Sequence, residues 1–196
     1  MYRRSTSWWA AVVAAATLIG CAGDPAHRAV DAKNAQAAAV SPRLNDEFQR
    51  ALALLRGERY DDAIGLLQRI IEKETRFAAP YVNLGIAYAR SGRSEEAESQ
   101  LVKALEIEPR NEQANNELGV LYRKDGRFSD ARKAYETALA GDPQYLPARR
   151  NLGILCEIYL HDLKCAREQF EQYQKIAPQD EQVSLWVADL KQRTGR

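Results

Sequence analysis

Apolar residues are laid out in two ways along this chain. Between Trp8 and Ile19 they form one run broken only by Thr17, rich in Ala and Val, with Arg3 and Arg4 ahead of it and no acid before Asp24. From residue 44 onward they return at helical spacing, in stretches separated by short polar breaks. The last stretch, "QVSLWVADLKQ", sets Val183, Trp186, Val187 and Leu190 on one helical stripe. The second pattern predicts an all-α domain whose helices each bury one face.

The helical stretches repeat. Laying "YVNLGIAYARSGRSEEAESQLVKALEIEP" over "NNELGVLYRKDGRFSDARKAYETALAGDP" brings Leu84 to Leu118, Gly85 to Gly119, Tyr88 to Tyr122 and Gly92 to Gly126. Ala97 and Ala131, Ala104 and Ala138, Leu105 and Leu139, and Pro109 and Pro143 keep the same spacing of 34. Agreement in residue type at eight positions of one period is a repeat signature. It closely resembles the tetratricopeptide repeat, a helix–turn–helix unit that stacks into a solenoid.

Upstream, Ala63 stands 34 residues before Ala97, but Ala51 replaces the glycine and Leu54 the tyrosine. Downstream, Leu152, Gly153 and Cys156 keep the register, and Ala166, Phe170 and Pro178 arrive one residue late, so one residue is expected to be inserted in the turn "YLHDLKC". The expected organisation is four repeats, about 44–77, 78–111, 112–145 and 146–180, with a capping helix over 181–193. A solenoid needs such a cap to cover the apolar face of its last repeat. Gly85, Gly119 and Gly153 are expected to face Ala97, Ala131 and Ala166, letting paired helices approach closely. Pro109, Pro143 and Pro178 would stop the second helices, and Pro80 and Pro147 suit a first helical turn.

The first run reads differently. Its twelve residues rise only about 18 Å as a helix, against a hydrocarbon core of about 30 Å, so this is a secretory signal layout rather than a span. Its close, Leu18-Ile19-Gly20-Cys21, resembles the lipobox of bacterial lipoproteins; the alternative is a plain signal with an incidental cysteine. The resemblance implies a signal peptide over 1–20 and acyl chains on Cys21, several of which together anchor stably. Ala22, where Asp tends to retain lipoproteins in the inner membrane, implies the outer membrane, facing the periplasm. Residues 22–43, rich in Ala and polar residues, read as a flexible linker.

Losing Arg3 and Arg4 with the signal would take the net charge from +1 to −1, so no global basic field recruits nucleic acid. Two histidines, no HExxH, no glycine-rich phosphate loop and no Asp-rich calcium loop leave no catalytic residue, metal site or cofactor to nominate. With Cys21 acylated, Cys156 and Cys165 are an even pair flanking the turn of the fourth repeat, where a helical hairpin can join them; a disulfide is predicted. The alternative is two small buried apolar residues.

Function follows from the resemblance. First helices of tetratricopeptide repeats line a concave groove where peptides bind, and carried over by register that groove holds Leu52, Ile86, Val120 and Ile154 in a row. Asn83, Asn116, Glu117, Arg123, Arg150 and Asn151 run beside it. The competing reading of the row is interhelical packing. Phe48 and Leu52 stand where some family members clamp a carboxylate with Lys and Asn, so that clamp is absent. The expected partner is a protein or peptide of the cell envelope, with membrane contact through the lipid alone. "NLGILCEIYLHDLKCAREQFEQYQ" with "WVADLKQR" is most similar to repeat lipoproteins of TonB-type systems. Pilotin-like assembly factors of type IV or tight-adherence pili, and adapters for peptidoglycan enzymes, are the alternatives.

Overall fold

The computed structural model describes residues 41–195. Over them the chain makes nine α-helices: α1 Pro42–Arg56, α2 Tyr60–Lys73, α3 Ala78–Arg90, α4 Ser94–Ile107, α5 Glu112–Lys124, α6 Phe128–Gly141, α7 Leu146–Ile154, α8 Leu163–Ile176 and α9 Glu181–Arg193. A π-helical turn, Leu155–Tyr159, extends α7. The fold is an all-α solenoid of four helical hairpins closed by α9, with no strand among the described residues. The expected signal peptide, Cys21 and the expected linker up to residue 40 lie outside the described residues; Pro42 and Arg43, at the linker's expected end, already belong to α1.

Local chemistry sets the helix ends. Side chains of Asn111, Asp162 and Asp180 accept hydrogen bonds from Ala114 N, Cys165 N and Val183 N, capping α5, α8 and α9. Pro109, Pro143 and Pro178 each fall two residues beyond the end of α4, α6 and α8. Within each hairpin the first helix closes on a residue in the left-handed region: Gly92 and Gly126 in repeats two and three, Glu58 and His161 in repeats one and four. Arg93 N donates to Tyr88 O (2.9 Å) and Arg127 N to Tyr122 O (2.8 Å) around these glycines. In repeat four Asp162 N reaches back to Cys156 O (2.8 Å), one residue further. The inserted residue is thus absorbed by the π turn, inside the last turn of the first helix, rather than in the loop that follows. Cys156 in that turn and Cys165 in the first turn of α8 meet at disulfide distance, Cα atoms 5.9 Å apart.

The core runs the length of the stack in two clusters. One gathers Leu67, Ile70, Val82 and Leu101 from the first two repeats, the other Tyr135, Leu155, Phe170 and Leu190 from the last two and the cap. Val183, Val187 and Leu190 of α9 are buried, and Trp186 stacks on Phe170 with ring centroids 5.1 Å apart. The helix-pair glycines meet larger neighbours than the expected alanines. A Cβ on Gly85 would stand 2.6 Å from Leu101 Cγ, and one on Gly153 2.5 Å from the Phe170 ring; Gly119 meets Tyr135 in the same way. Each glycine makes room for the bulky residue one turn beyond the expected alanine. Of those alanines, the closest approaches include only the Ala97 carbonyl, 3.2 Å from the position-85 Cβ.

Candidate functional site

The four hairpins place the first helices α1, α3, α5 and α7 side by side, and Leu52, Ile86, Val120 and Ile154 recur along them, each half-buried. Ile86 packs on the first core cluster, and Val120 and Ile154 on the second, so this row is shared between core and surface. At its N-terminal end a recess of about 400 Å³ opens between α1 and α3. Leu52, Leu55 and Ile86 form its apolar part, with Asn83, Arg56 and Arg90 around them. A larger recess of about 560 Å³ sits away from the row in the first hairpin, lined by Arg50, Arg59, Arg69, Asp62 and Leu66 among others.

The amides and charges beside the row are tied together toward the middle of the stack. Asn151 Nδ2 donates to Asn116 Oδ1 (2.9 Å), and Asn116 Nδ2 donates to Glu117 Oε1 (3.2 Å). Asn116 is only 3% exposed, so its polar atoms serve this link between α5 and α7. Burial holds the Glu117 carboxyl above the usual carboxylate range, against the opposing pull of Arg90, the Asn116 amide and Lys124. Burial, with Glu117, Glu112 and Asp142 nearby, pushes Tyr145 up to about 12. Arg123 donates from Nη1 to the Tyr159 hydroxyl (3.4 Å) and leans over that ring, 5.7 Å from its centroid. Arg150 is exposed and lies over Trp186 of the cap, 5.3 Å from the ring centroid. Asn83 Nδ2 donates to Ala79 O within its own helix (2.8 Å).

Sequence reasoning passed over Leu55, Arg56 and Arg90. The signal was available: Arg56, Arg90 and Lys124 keep the 34-residue spacing at the last position of α1, α3 and α5. Another recurrence is internal. Arg93 stacks over Tyr88 at 4.4 Å and Arg127 over Tyr122 at 3.9 Å, and both also pair with an acid three residues on. Among the described residues no group of three or more His, Cys, Asp or Glu side chains converges as a metal site would, and no helix is long and apolar enough to cross a membrane.

Two family models, both described as tetratricopeptide repeat, match residues 76–144 and 116–181. No protein of curated function matches in sequence. Among solved structures the chain is similar to that of the Pseudomonas aeruginosa pilF protein: TM-score 0.70, 21% identity, 77% of this chain and 68% of that one covered. MamA of Desulfovibrio magneticus RS-1 gives a TM-score of 0.65 at 19% identity, over 80% of this chain and 88% of its own. TTC0263 of Thermus thermophilus, described as a thermophilic TPR protein, gives 0.65 at 21% identity, over 74% and 79%. At these identities the likeness is one of fold.

Proposed function

The chain is a tetratricopeptide-repeat solenoid, a fold that mediates protein–protein interaction, and we propose that it is a non-enzymatic scaffold held by lipid to the periplasmic face of a bacterial outer membrane. There it gathers a protein partner of a multi-protein envelope system, of the TonB type by the sequence resemblance of its last repeat and cap. The observation that carries the scaffold reading is the surface along the first helices: a half-buried aliphatic row, an open recess at Leu52 and Ile86, and polar side chains edging both. Such a surface suits an extended segment or an amphipathic helix. The anchor is supported by Leu18-Ile19-Gly20-Cys21 after a short apolar run.

Replacing the acylated cysteine tests the anchor. Cys21→Ala is expected to move the protein from the membrane fraction to the soluble fraction, and to remove the acyl mass from its N-terminal peptide. A variant that stays membrane-bound without that mass contradicts lipid anchoring.

A further inference from the structure

Resting on the reading that this groove binds protein, we infer that its occupant is an acidic, amphipathic segment, extended across repeats one to three with its carboxylates on Arg56, Arg90 and Lys124. These residues end α1, α3 and α5 and occupy one position in three successive repeats. All are exposed, and among the described residues none has an ion-pair partner. A second column of cations contrasts with them: Arg59, Arg93 and Arg127 are each neutralised by Asp62, Glu96 and Asp130. One column serves the hairpins, and the other is left open among the described residues. In repeat four the open position passes to Ile158, 58% exposed, so the row of charge ends there.

The apolar half of the site is in place beside it. Arg56 and Arg90 line the same recess as Leu52, Leu55 and Ile86, so a bound aliphatic side chain would sit between two guanidinium groups. Two acids are near. Glu58 lines the recess without pairing to either arginine, and Glu117 is half-buried within the field of Arg90 and Lys124. At the recess itself two guanidinium groups face one carboxylate, so that part of the edge is net positive. A cation in the last turn of a helix also complements the helix dipole. That accounts for each residue singly, not for two unpaired arginines around one apolar recess.

Spacing favours an extended occupant. Packed helices stand about 8–10 Å apart, and a polyproline II segment returns to the same side every three residues, about 9 Å along its axis. An acid at every third position would therefore meet successive first helices, while the residues between supply aliphatic contacts to the row.

The test uses the full chain and three fluorescein-labelled peptides, each four repeats of Glu-Leu-Pro, Gln-Leu-Pro or Lys-Leu-Pro, followed by fluorescence anisotropy. The Glu peptide is expected to bind about tenfold more tightly than the Gln peptide, with the Lys peptide weakest. That preference should fade at about 0.5 M salt. It should vanish in the triple variant Arg56→Gln, Arg90→Gln, Lys124→Gln, whose circular dichroism and melting show it folded. Equal binding of the Glu and Gln peptides, or a preference that survives in the folded triple variant, overturns the inference. If Leu52→Glu then weakens both peptides alike, the groove reading stands without the acidic specificity. Binding of none of the three also overturns the inference, and in-cell crosslinking in the groove then decides the groove reading alone.

Discussion

Gly119 shows what single positions do in this stack. In a bare helix, alanine there would be favoured by about 1 kcal/mol. Here its Cβ would enter the ring of Tyr135, a side chain with no exposure, so overpacking of about 1–3 kcal/mol competes with that gain. Gly119→Ala is expected to lower the melting temperature; a rise would remove the close approach from the account. The recurrence of the glycine was legible in the sequence, but what it faces was not, because spacing gives the residues on a helix face and not how far along the partner they interlock. Glu117 carries a second residue-scale test. Its carboxyl pKa is raised by burial, so the folded state favours the protonated form, and ionisation costs stability that returns as pH falls through the raised value. Glu117→Gln is expected to raise the melting temperature at pH above neutral. The gap to the parent should shrink as the pH falls toward about 4, the ordinary range of a glutamate. A gap that is constant or widens in acid would contradict this.

At the scale of elements, the hairpin turns separate what the period dictates from what it leaves free. Repeats two and three place Gly92 and Gly126 in the left-handed region, where a side chain costs about 1 kcal/mol or more, whereas Glu58 and His161 occupy it without that relief. Glu58→Gly and His161→Gly are each expected to stabilise the fold by roughly 0.5–1 kcal/mol in denaturant unfolding. A loss of stability at either would show that its side chain is needed by the turn. The sequence register exposed an extra residue in repeat four but put it in the turn "YLHDLKC"; the structure takes it up earlier, in the π turn Leu155–Tyr159. Absorbing it in a π turn lets α7 keep Leu152 and Gly153 in register while the turn aims Ile158 and Tyr159 outward. The stripe of the last helix was legible in its spacing: Val183, Val187 and Leu190 are buried on one face of α9, with Trp186 half-buried beside them.

For the whole molecule, the repeat pattern made the solenoid legible, because every hairpin buries the same positions against its neighbours. The groove was legible only as a face. Asn116 proves to be an internal link to Asn151 and Glu117, and the unpaired column of Arg56, Arg90 and Lys124 depends on which cations the chain neutralises itself. Sequence spacing does not report that. The central claim is that this face holds a partner. It is tested most directly by placing a photo-crosslinking amino acid at Asn83, in the recess, in living cells, with Lys133 as the exposed control on α6. The account predicts one discrete envelope protein captured from position 83 and lost from position 133. Its identity would separate a TonB-type system from a pilus or a peptidoglycan enzyme. No adduct above background at position 83, or the same adduct from both positions, would contradict the groove as the working surface.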